Sequence, residues 1–277
     1  MSSSEPFVGA GDLQEDLGMF EAATHAAPIQ LPEVSLTTVL LALDGSNQDN
    51  TARSVAARVA AACSAQVAEE RGLITAQDIR AAKTTHRAEL VVLPVPFGSD
   101  IGELREESLG VVMDQLLASC LPILAVRQPL EEAAVQSLFQ RLHVPLSPVH
   151  ESGPKALAWA CRLLGPAGTL RVYEFADARL REEARTLGKE AEPAAAVGRV
   201  LSRFYAGTIA VLQRLAVEKG FQMRVASVSE RFVKGTLAAV EQAAGLIVVA
   251  GATDRSSDAF HHAADLILGS RGPVLVV

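Results

Sequence analysis

Positive charge is scarce in this chain. Lys and Arg number 25 against 32 Asp and Glu, a net charge of -7. No basic stripe is available to neutralise phosphates, which argues against a nucleic-acid partner. The acidic balance itself reads as simple solubility. Aromatic residues make up only 4%, so no stacking platform is legible. The single tryptophan, Trp159, shares a helical face with Leu163 and reads as packing. Cysteines are few: Cys63, Cys120 and Cys161 lie far apart in apolar helical surroundings. An odd count without metal spacing excludes a disulfide framework and a zinc knuckle, and a reducing cytoplasmic setting is expected. No run approaches the ~20 apolar residues of a membrane span, and no signal peptide is evident. Direct membrane insertion is therefore not expected.

What the chain does have is a repeat. The apolar run Val39–Leu43 ends in Asp44-Gly45-Ser46, and a small-residue helix pattern follows over Thr51–Cys63. Later come an inner strand, Glu89–Leu93, a Gly-containing loop, a helix, and the closing strand Pro122–Val126. The second half repeats the order. Leu142–Leu146 precedes a helix containing Trp159, Gly245–Gly251 is the inner strand, and Pro273–Val277 closes. A unit of more than ~100 residues is too long for a solenoid repeat. With strands buried on both faces, it reads as α/β: two tandem open parallel-sheet, Rossmann-like domains. The expected parts are a tail over residues 1–35, a first domain over 36–128, a linker over 129–140 and a second domain over 141–277. The first domain is abbreviated, holding one short strand (Gln66–Ala68) and one helix (Thr75–Thr85) before its inner strand. The second adds a long helix, Val197–Lys219, and a strand, Phe221–Val228. Within the tail, Leu13, Leu17 and Phe20 sit at helical spacing over Asp12–Ala23, broken by Pro28 and Pro32.

Taken together, the Asp44-Gly45-Ser46 opening, the inner strand with its Gly loop and the two closing strands resemble the universal stress protein family in tandem form. The resemblance spans about 36–277. It implies strand order 3-2-1-4-5 and, in many members, ATP or AMP binding. It also implies dimerisation through the last strand, here between the two halves as an intramolecular pseudo-dimer, with further dimerisation left open. Ile123–Val126 should then lie antiparallel to Val274–Val277, hiding two apolar edges that would otherwise invite aggregation.

In an open α/β sheet a ligand lies outside the carboxyl ends of the strands, where strand order reverses. Asp44 stands there in the first domain. Its carboxylate can accept hydrogen bonds from an amine or a ribose hydroxyl. Asp-Gly-Ser is equally a turn and helix N-cap signature. Phosphates need free N–H groups at a Gly loop and a helix N-terminus, and Gly98, Ser99, Gly102 and Gly110 are the candidates. ATP-binding members carry Gly, two residues, Gly, nine residues, Gly, then Ser or Thr. Here three and seven residues separate Gly98, Gly102 and Gly110, and Val111 stands where the hydroxyl belongs. Glu103, Glu106 and Glu107 add repelling charge.

The second domain departs further. Leu146-Ser147-Pro148 replaces the signature, and Ala252–Asp258 lacks a second glycine. Arg255, Ser256 and Ser257 could hold a small anion, though a solvated loop is the plainer reading. His261 and His262 point about 100° apart on a helix, poor geometry for sharing a metal. His143 and His150 flank a Pro-rich strand exit and read as structural. No Ser-His-Asp arrangement is legible, so no catalytic residue is assigned.

The expectation is a non-enzymatic regulatory or interaction module, with nucleotide confined to the first domain or lost. A protein partner would dock on a surface such as Arg179–Glu192. The rivals are an ATP-binding stress protein, an enzyme using the cleft between halves, and the soluble regulatory part of a membrane transporter.

Overall fold

The computed structural model describes residues 30–97, 109–119, 121–148, 150, 152–187, 193–228 and 230–277. The helix expected over Asp12–Ala23 lies outside them. Gly98, Ser99 and Gly102 do as well.

The chain runs β1 (Thr38–Leu43), α1 (Asp49–Cys63), β2 (Gln66–Arg71), α2 (Ala76–His86), β3 (Leu90–Pro94), α3 (Val111–Leu117) and β4 (Ile123–Val126). A short helix, α4 (Glu132–Ser137), and a 3-10 turn (Leu138–Gln140) lead into the second half. That half runs β5 (Arg141–Leu146), α5 (Gly153–Leu163), β6 (Thr169–Phe175), α6 (Ala178–Leu187), α7 (Pro193–Lys219) and β7 (Gln222–Val228). It ends with α8 (Phe232–Gln242), β8 (Leu246–Val249), α9 (Asp258–Gly269) and β9 (Val274–Val276). Among the described residues nine strands form one sheet in the order β2-β1-β3-β4-β9-β8-β5-β6-β7. Every neighbouring pair is parallel except β4 and β9, where Ile123, Leu124 and Ala125 face Val276, Leu275 and Val274 antiparallel.

This architecture follows from the sequence pattern. A central parallel strand is covered on both faces, so it must be apolar at every position rather than at alternate ones. β1, β3, β4 and β8 meet that condition with buried residues throughout or nearly so. Successive side chains then feed two separate cores. Leu41, Leu43, Val92, Leu124, Val144 and Leu275 pack under α1, α4, α5 and α7. Leu40, Ala42, Val91, Ile123, Phe175 and Val274 pack under α2, α3, α8 and α9. Both cores run through both halves of the sheet.

α1 buries Ala52, Val55, Ala56, Val59, Ala60 and Cys63, a stripe at helical spacing whose small residues bring the helix close to the sheet. α2 opens on a capping box. The Thr75 hydroxyl accepts from the Asp78 amide, and the Asp78 carboxylate accepts from the Thr75 amide.

Two differences from the sequence reading concern position. α7 begins at Pro193, not Val197, because Ala-rich chain between the two continues the helix. Residues 129–140 are more than a tether: Val135, Leu138 and Phe139 are buried in the core shared by the two halves. Their apolar side chains outweigh the polar residues around them. The sheet edges differ as well. Among the described residues β7 has no counterpart in the first half, whose outer strand is the charged β2, six residues long rather than the three of Gln66–Ala68.

Candidate functional site

Strand order reverses at two places, between β1 and β3 and between β5 and β8. The carboxyl ends of those strands are the places to look for a site.

At the first, β1 ends at Leu43 and the chain turns through Asp44-Gly45-Ser46. Gly45 has φ 87°, a left-handed conformation that costs any other residue strain. Asp44 Oδ1 accepts from the Ser46 amide at 3.0 Å, closing the turn. It does not cap α1. The N-cap residue is Gln48, which makes no side-chain cap bond. Asp49, in the first turn of α1, reaches back instead: Oδ2 accepts from the Gly45 amide at 3.0 Å and Oδ1 from the Asp44 amide at 3.4 Å. Burial pushes the Asp49 carboxyl up in pKa, against the pull of those two amides. The Gln48 side chain donates to the Arg127 carbonyl at 3.2 Å, and the Leu130 amide donates to the Thr51 hydroxyl at 3.1 Å. The loop is thus tied to the exit of β4. Ser46 Oγ and Gln48 Oε1 are shielded from solvent and lack a hydrogen-bond partner among the described residues. Such atoms are uncommon in folded proteins and suit a polar guest.

Gly110, with φ 84°, is the N-cap of α3. α3 has only seven residues, and Val111 beside it is 72% exposed and brings no hydroxyl. Asp44 and Asp49 place two carboxylates near each other. This end of the sheet therefore suits neutral donors and hydroxyls better than a highly charged phosphate chain.

The second reversal is filled by rings. His150, after β5, approaches Phe232 edge-on with centroids 4.5 Å apart. Phe232 stacks on His262 of α9 at 4.5 Å and tilts against Phe175 at 4.9 Å. His150 Nε2 and His262 Nδ1 lie 3.1 Å apart, so one ring donates to the other. Burial lowers the pKa of His150 to about 4 and lowers that of His262. Both rings are neutral at pH 7. In the β8–α9 loop the Asp254 carboxylate accepts from the Ser256 amide at 2.9 Å and the Ser256 hydroxyl at 2.7 Å. The Ser257 hydroxyl caps α9. The anion reading of Arg255, Ser256 and Ser257 therefore fails: both hydroxyls are engaged, and a carboxylate sits at the loop's centre.

No family model matches the sequence, and no curated protein matches it. Solved structures do match. The universal stress protein from Archaeoglobus fulgidus DSM 4304 aligns with TM-score 0.50 and 17% sequence identity, over 97% of this chain and 94% of that chain. The chain has the universal-stress-protein fold. A protein described as a universal stress protein from Pseudomonas aeruginosa UCBPP-PA14 aligns with TM-score 0.51 and 9% identity, over 88% of this chain and 93% of that one. At these identities the likeness is one of fold, and residue roles must come from this chain.

On that fold, Asp44 stands at a strand reversal, as its sequence position implied. Gly110 stands at the start of a helix after the inner strand. The Gly98–Gly102 part of the candidate loop lies outside the described residues. Sequence reasoning missed Asp49 and Gln48, which organise the loop around Asp44. Asp49 is five residues from Asp44, within reach of the turn once a helix begins there, and that spacing was the available signal. The sequence reads His150 as structural, yet its Nδ1 atom is buried without a partner among the described residues. Among the described residues no group of His, Cys, Asp or Glu suits a metal ion, and no helix is long and apolar enough to cross a membrane.

Proposed function

We propose that the protein is a non-enzymatic regulatory or interaction module of the tandem universal-stress type. Any adenine nucleotide is confined to the first half, around Asp44 and the glycine at 110. The contrast between the two reversals carries this reading. One offers a carboxylate-lined turn with Ser46 Oγ and Gln48 Oε1 unpaired among the described residues. The other is packed with Phe175, Phe232, His150 and His262. The nucleoside end of AMP fits the first better than a triphosphate does, because Asp44 and Asp49 repel phosphate and Val111 offers it no hydroxyl.

The non-enzymatic part of the reading rests on chemistry. Hydrolysis of a phosphoanhydride needs an aligned base or a metal-activated water; among the described residues no group of side chains near Asp44 suits a metal ion, and the Asp49 carboxylate is held by backbone amides. The output is then docking of a protein partner.

Calorimetric titration with AMP and ATP should give at most one site per chain, with AMP at least as tight as ATP and binding lost in Asp44→Ala. Two sites, or binding indifferent to that substitution, would contradict the assignment. With Mg²⁺ or Mn²⁺ present, turnover above about 1 per second that disappears in Asp44→Ala would favour the enzymatic reading instead.

A further inference from the structure

A cavity of about 230 Å³ opens beside the second reversal, between the exit of β5, the first turn of α5 and the middle of α7. Its walls are apolar: Leu146, Pro148, Leu157 and, at the mouth, Phe204. Phe204 is 46% exposed, a large aromatic ring left at the surface. No residue of the β8–α9 loop lines the cavity, whereas Leu146, Ser147 and Pro148, which stand where the first half has Asp44-Gly45-Ser46, do.

Four polar side chains break the apolar lining: Ser147, Thr208, His150 and Tyr205. Tyr205 is 7% and His150 5% exposed, and both line the cavity. The Tyr205 hydroxyl and His150 Nδ1 have no hydrogen-bond partner among the described residues. Leaving a buried hydroxyl or imidazole nitrogen unpaired is unfavourable, and both residues line this cavity. A small cavity with an apolar body and a few convergent polar groups is the pattern of a ligand site.

Charge narrows the ligand class. Burial raises the Tyr205 phenol well above its usual range, and the nearby Glu174 and Asp177 add to that shift. Negative potential on that side rejects an anion. The neutral His150 ring supplies no compensating cation. Among the described residues no carboxylate lines the cavity to hold a cation. Its volume equals that of about eight waters in the liquid, enough for one or two fused rings.

We propose that the second half binds a small neutral aromatic molecule bearing a hydrogen-bonding group, of the phenol or indole class, in the cavity between β5, α5 and α7. The ring packs on Leu157 and Phe204. The polar group exchanges hydrogen bonds with the Tyr205 hydroxyl and His150 Nδ1. The site does not depend on the nucleotide reading of the first half.

Phenol and indole are the probes, titrated into the full chain and followed by calorimetry and by ligand-observed NMR. One saturable site with a dissociation constant of about 1 mM or tighter is expected. Benzoate should bind more weakly than phenol, and AMP should not compete. Tyr205→Phe removes only the hydroxyl and should weaken phenol roughly three- to tenfold. Its thermal midpoint should stay the same or rise, since an unpaired buried group is gone. Thr208→Phe puts a ring into the cavity and should abolish binding, with the Trp159 emission spectrum reporting that the fold is kept. No saturable binding of either probe, unchanged affinity in Tyr205→Phe, tighter binding of benzoate, or competition by AMP would each overturn the proposal. If Thr208→Phe fails to fold, the Tyr205→Phe result decides.

Discussion

The two strand reversals share a topology and differ in what fills them. Beside β1 the chain spends its polar groups on a turn, with Asp49 holding the amides of Asp44 and Gly45. Beside β5 it spends rings: His150, Phe232, His262 and Phe175 touch in a chain. Strand order creates a crevice at the carboxyl ends of the strands, but it does not keep that crevice empty. A sequence that places bulky side chains at the exits of β5 and β6 and the starts of α8 and α9 turns the same place into core. In the second half the open volume has moved sideways, to the gap between α5 and α7.

The largest effect should come from severing the halves. Leu275 is fully buried opposite Leu124 at the antiparallel join. Leu275→Lys should cost roughly 4 kcal/mol by leaving an unpaired charge there. Denaturant unfolding measures it, and a loss below about 1 kcal/mol would mean the halves do not rely on the join.

Next is the ring cluster. Phe232→Ala should cost about 3 kcal/mol through the cavity it leaves. The matched change in the first crevice, Gln48→Ala, should cost less than about 1 kcal/mol. Comparable losses at the two positions would erase the contrast between a packed and a polar crevice.

Acid should also separate the halves. His143 is fully buried, its Nδ1 2.9 Å from the Tyr173 hydroxyl. Burial depresses its pKa, like that of His150, to about 4. The unfolded chain therefore binds protons that the folded chain refuses. Stability is fully present above about pH 6.5 and is lost as pH falls toward 4. The loss is on the order of 2 kcal/mol for each ring. Hydrogen exchange at pH 5 should show second-half amides losing protection before first-half ones. His143→Phe should flatten the pH dependence, and an unchanged slope would remove this ring from the explanation.

Smaller effects belong to the first crevice and its edge. Asp49→Ala should cost about 1 kcal/mol by freeing two backbone amides. Arg53 pairs with Glu69 at 3.1 Å across half-exposed side chains, so Arg53→Ala should change stability by less than about 1 kcal/mol. A larger loss at Arg53 than at Asp49 would mean that the charged edge strand, not the turn, organises this end.

Much of the architecture lay in the sequence because its signals are local or periodic. Val39–Leu43 and Leu90–Leu93 read as buried parallel strands because they are apolar at every position. The stripe from Ala52 to Cys63 marks a helix by spacing alone, whereas the Thr75–Asp78 box that opens α2 shows only in the folded chain. The short apolar ends, Ile123–Val126 and Val274–Val277, pointed to their antiparallel pairing because an exposed edge of that kind is unfavourable. The site was less legible. Asp44 was found by its place at the end of a strand, yet its bond to the Ser46 amide rather than to a helix terminus depends on where α1 begins. Neither the burial of Leu138 and Phe139 nor the meeting of His150 with His262, 112 positions apart, has a local signature. Residues so distant become neighbours only when β5 and β8 lie side by side. The order of apolar strands and helices therefore set the sheet, while the folded chain alone decided which crevice is polar, which is packed, and which buried side chains, Tyr205 among them, line an open space.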